Sequence, residues 1–232
     1  MRVDLELLNL FFPQRCVLCN AQSSGFICQR CLEKLEPYAG NRCRVCSKPL
    51  AYKSGDLLCA SCLAGKRHFE YGFSLFSYKE GAIKRLIEIA KFNSLPRVLS
   101  FIERYLDELP DRLLEDLDCV VPVPMHKNDI RKRGYNQCAY IARYLARRFS
   151  LKICWDLLIK TKQTQHQVGL DLKRRKTNLK DAFECRPKRN IRRVLIVDDV
   201  FTTGSTINEC ARVLSRAKIA SVFFTVATTP AF

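Results

Sequence analysis

The chain has 232 residues, 47% of them hydrophobic, with nine glycines and nine prolines. That composition excludes a largely disordered chain and allows one globular domain with a small appendage. Forty Lys and Arg against 23 Asp and Glu give a formal charge of +17. Either this is a solubilising surface, or it meets a polyanion: nucleic acid, an acidic membrane surface or a phosphorylated ligand.

The opening segment, MRVDLELLNLFFP, is partly apolar but carries Asp4 and Glu6 and lacks the basic start of an export signal. It is too short to cross a bilayer, and no later run is long enough. We therefore expect no transmembrane segment and a soluble, cytoplasmic protein. The thirteen cysteines are odd in number and accompany no export signal, which favours metal ligands over disulfides.

Eight cysteines lie between residues 16 and 62 and form an internal repeat. Cys16-x-x-Cys19 is followed by Cys28-x-x-Cys31, and Cys43-x-x-Cys46 by Cys59-x-x-Cys62. In each unit the second pair follows an apolar residue (Ile27, Leu58) and precedes a leucine (Leu32, Leu63), as in a knuckle followed by a pair at the start of a short helix. A CxxC pair presents two thiolates to one ion, and two such pairs close a tetrahedral zinc site. Four pairs predict two structural zinc ions, with no position left for a reacting ligand. The rival readings are an iron–sulfur cluster or a redox dithiol, though a redox CxxC normally stands as one pair in a βαβ setting. The repeat favours sequential pairing; interleaved pairing stays open. Two all-thiolate sites would lower the net charge to about +13. The other five cysteines, including Cys119, Cys138 and Cys210, follow no ligand spacing and read as small core residues. We expect a cysteine-rich zinc module over residues 1–66 and a second domain over 67–232.

From about Phe69 strands alternate with helices. Tyr71–Tyr78 alternates as a strand, Gly81–Phe92 has helical spacing, and Leu95–Leu109 reads as another helix. Asp118–Val123 is a short apolar strand stopped by Pro122 and Pro124. Tyr135–Phe149 is a basic helix, and Leu151–Ile159 is ambiguous. Lys160–Lys180 is a polar loop, Arg192–Val197 a buried strand, Ser205–Arg216 a helix and Ser221–Thr228 a last strand. The alternation predicts an α/β fold with a doubly wound, mostly parallel sheet.

The most informative stretch is VLIVDDVFTTGST, Val194–Thr206. An apolar strand ends in Asp198 and Asp199, and a loop of small hydroxyl residues leads into a helix. A helix N-terminus favours an anion. Gly204 lets the backbone approach, and Thr202, Thr203, Ser205 and Thr206 add hydroxyl donors, so the loop suits a phosphate monoester. The aspartates would repel that phosphate; they suit hydroxyls one sugar ring away and can orient Mg²⁺. Helix capping explains a single Asp or Thr, but not two adjacent acids followed by TTGST.

This run resembles the phosphoribosyl-pyrophosphate motif of type I phosphoribosyltransferases. The resemblance implies that Asp198 and Asp199 hold the ribose hydroxyls and that Thr202, Thr203, Gly204, Ser205 and Thr206 hold the 5-phosphate. Other segments narrow the likeness to the ComF competence-protein family: the doubled cysteine module, YKEGAIKRLIEIAKF, VVPVPMHKNDIRKRGYNQ, Gln167-x-x-Leu170 and KRRKTNLKDAF. That resemblance covers nearly the whole chain. It implies a type I phosphoribosyltransferase-like fold behind a double zinc ribbon, and a role in natural transformation, where DNA enters as a single strand. In related transferases the loop after the first core strand binds pyrophosphate. By position this is Pro122–Gly134, where Arg131 and Arg133 would meet the diphosphate, unless they only begin a solvated basic helix.

Two functions follow. A phosphoribosyltransferase acting on an unidentified acceptor needs little beyond positioning and charge neutralisation. Against it, little chain follows the last strand to recognise an acceptor, and Arg2 rather than cysteine follows Met1, which excludes an amidotransferase nucleophile there. The second is a DNA-handling protein that keeps the pocket as a sensor or phosphate grip. Between Lys160 and Arg193 there are 12 Lys and Arg against 3 Asp and Glu. Tyr135, Tyr140, Tyr144 and Phe149 lie among Arg133, Arg143, Arg147 and Arg148, a mixture that suits a single strand, although an amphipathic helix would bury at least half of those rings. Expected partners are phosphoribosyl pyrophosphate with Mg²⁺, single-stranded DNA and proteins of the DNA-uptake machinery.

Overall fold

A computed structural model describes residues 14–51, 57–65, 67–79, 81–163, 179 and 181–230. The opening segment before residue 14, the Gln167-x-x-Leu170 pair and most of the basic Lys160–Lys180 segment lie outside the described residues.

Among the described residues the cysteine module contributes two one-turn helices, α1 (Gln29–Leu32) and α2 (Ala60–Leu63), each with a cysteine at its N-cap, Cys28 and Cys59. Then come β1 (Gly72–Ser77), α3 (Ala82–Phe92), a 3-10 helix (Pro96–Glu108), α4 (Asp111–Leu114), β2 (Cys119–Pro122), α5 (Lys127–Arg133) and α6 (Gln137–Arg148). The short strands β3 (Lys152–Ile153) and β4 (Leu158–Lys160) occupy the stretch that periodicity left ambiguous. β5 (Phe183–Cys185), β6 (Arg193–Phe201), α7 (Ser205–Arg216) and β7 (Ala220–Thr228) complete the elements of the described residues.

The main sheet has the order β1-β7-β6-β2-β3, and all four pairings are parallel. Both faces are covered, so the central strands read as continuous apolar runs rather than alternating ones. Val120, Leu195, Val197, Val222 and Phe224 enter a core with α3, the 3-10 helix and α6. Cys119, Val121, Val194, Ile196 and Phe223 enter another with α7. The doubly wound parallel sheet expected from the sequence is thus present, with the antiparallel hairpin β4–β5 beside it.

Three local readings change. The segment after α3 is a 3-10 helix: Pro96, Leu99, Ile102 and Tyr105 are buried at three-residue intervals, the period of that helix. Gly134, at φ 85°, ends α5 and separates it from α6, so Arg131 and Arg133 close a helix instead of beginning one. Pro122 lies within β2 and does not stop it early. Val123 N donates to Val197 O and Cys154 N to Val120 O. Alternation therefore aims the missing N–H of Pro122 toward β3, which has already ended.

The module lies along the free edge of β1. Tyr38 N donates to Leu75 O, and Gly72 N donates to Val45 O. The half-buried Arg42 donates to Ser74 O at 2.6 Å and lies over the rings of Tyr38 and Phe73. Cys16, Ile27 and Leu35 join the core on one face of the sheet, while Cys43, Cys46, Leu50 and Cys59 join the other.

Candidate functional site

The eight cysteines form two groups. In each group, Cys16/Cys19/Cys28/Cys31 and Cys43/Cys46/Cys59/Cys62, the sulfur atoms lie within 4.8 Å of one another. The pairing is sequential. Cys19 and Cys28 sulfurs are 3.6 Å apart, as are those of Cys46 and Cys59. A tetrahedron with Zn–S bonds of about 2.3 Å has edges of roughly 3.8 Å, so the groups fit zinc. Burial raises the Cys16 thiol, but backbone donors at Cys28, Cys19 and Leu18 outweigh it and bring the group down to about 6. Burial and the neighbouring thiols push Cys31 up to about 12. In the second group, hydrogen bonding among the thiols drives Cys43 far below the ordinary thiol range and Cys46 far above it. Four thiols so close ionise together only around a cation, and Zn²⁺ supplies that condition as structural metal.

At the carboxyl end of the sheet, β6 continues through Asp198 and Asp199 to Phe201 because Asp198 stays in register with Thr225 and Phe201 with Thr228. Gly204 then adopts φ 77° and caps α7. A Cβ there would stand 2.4 Å from the Phe201 ring, so both conformation and space require glycine. Thr203 Oγ1 lies 2.8 Å from Ser205 Oγ and accepts from Ser205 N at 3.2 Å. Thr229 Oγ1 donates to Thr202 O at 3.3 Å, tying the loop to the end of β7. The sheet and α7 thus bring Thr202 to Thr206 into one turn at a helix start, the local geometry that an anion favours.

The two acids are held by groups that the sequence reading did not single out. Lys91 Nζ meets Asp199 Oδ1 at 2.9 Å, and Gln137 Nε2 donates to Asp199 Oδ2 at 2.6 Å. Asp198 Oδ1 accepts from Asp199 N at 2.9 Å and from the Cys138 thiol at 3.2 Å. Burial, then the neighbouring Asp199 charge, pushes the Asp198 carboxyl up to about 7. Burial opposes the charge on Lys91, but the Asp199 and Asp198 carboxylates outweigh it and hold the ammonium above its ordinary value. Lys91 had no distinguishing signal, since a cation in a last helical turn is already explained by the helix dipole. Cys119, Cys138 and Cys210 are buried as expected, but Cys138 also touches the acid pair.

Arg133 joins this network. Its Nη1 donates to Gln137 Oε1 at 2.8 Å, one side chain from Asp199. Lys91, Phe92, Ser94, Asp129, Lys132 and Arg133 line a cavity of about 270 Å³. Arg131 is exposed and does not line it. Of the four aromatics grouped above, Tyr144 and Phe149 pack against the core, while Tyr135 and Tyr140 meet edge to face. Among the described residues no helix is long and apolar enough to cross a membrane.

The double zinc ribbon domain family matches residues 7–63. Orotate phosphoribosyltransferase from Aeropyrum pernix aligns with 66% of this chain and 71% of its own, at 18% identity and a TM-score of 0.35. Competence protein F of Haemophilus influenzae is 29% identical over 227 residues, covering 91% of this chain and 95% of that protein. DNA utilization protein YhgH of Salmonella typhimurium is 30% identical over 230 residues, covering 92% of this chain and 96% of that protein. Identity of that order over about nine-tenths of the chain places it in the ComF competence-protein family.

Proposed function

We propose that this protein binds phosphoribosyl pyrophosphate with Mg²⁺ at the carboxyl end of β6 and handles single-stranded DNA during DNA uptake or utilisation in the cytoplasm. The names of its relatives, a competence protein and DNA utilization proteins, support the DNA role. One observation carries the ligand: the turn from Asp198-Asp199 through left-handed Gly204 into α7. In this reading Thr202, Thr203, Gly204, Ser205 and Thr206 take the 5-phosphate, and the two carboxylates accept the ribose hydroxyls. Mg²⁺ favours one or two carboxylates together with substrate phosphate oxygens, a donor set that Asp198 and Asp199 would complete. Lys91 and Gln137 hold Asp199 in place, so the ligand meets a site already oriented.

Calorimetric titration with Mg²⁺-phosphoribosyl pyrophosphate tests this. The double variant Asp198→Asn, Asp199→Asn removes two charged acceptors, each worth about 1.5–3 kcal/mol. Affinity should fall by about 100-fold or more. Equal affinity in the double variant and the parent overturns the assignment.

A further inference from the structure

A row of aromatic and guanidinium groups starts beside the acid pair and runs toward the edge strand β3. The Arg143 guanidinium lies over two rings, 5.4 Å from the centroid of Tyr140 and 5.3 Å from that of Trp155. Tyr140 meets Tyr135 at 6.3 Å with the rings 87° apart. The Tyr135 hydroxyl donates to Ala90 O in the last turn of α3, two residues before Phe92. Arg133 lies over Phe92 at 5.7 Å. The ends of the row are open: Phe92 is 65% exposed and Trp155 49%.

Topology explains the alignment. All five strands of the main sheet point the same way, and Trp155 follows β3 directly. Continuing the β2–β3 register past Ile153 brings Trp155 level with Pro122, which pairs with Val197, the residue before Asp198. Two strand spacings, about 10 Å, separate those positions across the sheet. The row and the acid pair therefore share one edge of the molecule.

We propose that this row is the track for single-stranded nucleic acid, with bases stacking on Trp155, Tyr140 and Phe92 and the backbone following the cations. This deepens the DNA reading above and rests on it. Phe92 and Trp155, left exposed among cations with half-buried Tyr140 between them, are what a single strand needs, because every base has a face to stack and every nucleotide a phosphate. Lys132, next to Arg133, and Arg147, one helical turn after Arg143, are exposed and supply charge of the required sign. Tyr, Trp and Arg also recur in protein interfaces, but the +17 charge of the chain favours a polyanion. Arg133 belongs both to the row and, through Gln137, to Asp199, so the track begins where the ribose-phosphate site ends.

Trp155 is the sole tryptophan of the chain, so its intrinsic fluorescence reports on the track directly. Titrating the zinc-loaded full chain with oligothymidylate should quench that emission saturably. Trp155→Leu and Tyr140→Leu, followed by anisotropy of a labelled oligonucleotide, should each weaken binding about tenfold, as loss of one stacked base implies. Tyr144→Leu, a ring packed against the core, should leave affinity unchanged. Oligonucleotide binding that neither quenches Trp155 nor weakens in the Trp155 and Tyr140 variants overturns the track and leaves this face for a protein. Failure of the parent chain to bind any oligonucleotide at low salt overturns the DNA reading itself, and the track with it.

Discussion

Asp198 ties the site to pH. Burial and the charge of Asp199 raise its carboxyl from 3.8 to about 7, so the folded chain holds this proton more tightly than the unfolded chain. Folding stability from this group is therefore greatest below the ordinary carboxylate range and declines as pH rises toward 7. Under the proposed function, ligand affinity would run the opposite way, because a ribose hydroxyl donates best to an ionised carboxylate. Affinity for Mg²⁺-phosphoribosyl pyrophosphate should climb between pH 6 and pH 8, and calorimetry across that range would show a flat profile if Asp198 were ionised throughout. The acids themselves were legible, because two charges after a four-residue apolar strand have no structural explanation. Their holders were not. Lys91 looks like a helix-end cation and Cys138 like a small core residue, and only the parallel crossover through α6 brings Cys138 to Asp198. Trp155 was unmarked for the same reason: its neighbour Arg143 lies twelve positions earlier on another element.

Among the elements, those with strong local signals could be read directly. α7 shows its apolar face at Ile207, Cys210, Ala211 and Leu214, and β6 and β7 are apolar runs that only a sheet covered on both sides explains. β6 outruns its apolar stretch because pairing with β7 satisfies its backbone whatever the side chains are. β3, at two residues, is too short for periodicity and exists because β2 offers it partners. The segment Pro96–Glu108 is the instructive case. Its buried residues satisfy either helix period over a few turns, and packing against α3 and α6 selects the tighter 3-10 form. Ile102 is fully buried there, so Ile102→Ala should cost about 2–5 kcal/mol, seen as a lower urea midpoint. A loss under about 0.5 kcal/mol would mean that this segment contributes little to the core.

At the scale of the molecule, the two thiol groups extend the cores of the sheet. The first joins the core on the α6 face and the second the core on the α7 face. The repeat in the sequence announced two metal sites, but not that they would straddle one strand, since nothing local to a CxxC pair specifies what it packs against. Metal analysis should return two zinc ions per chain, and Cys46→Ser, at the more buried site, should reduce that to one and lower the melting temperature. Two ions retained in that variant would contradict the assigned ligands.

The module also determines how the sheet ends. Backbone bonds from Tyr38 and to Val45, with Arg42 across Ser74, occupy the side of β1 that would otherwise face water. An uncovered, apolar, parallel edge is a template on which another copy can add its own strand. Stripping the metal would loosen the segment that shields this template. A zinc-starved chain should then self-associate more readily than the zinc-loaded one, which light scattering after chelation would check.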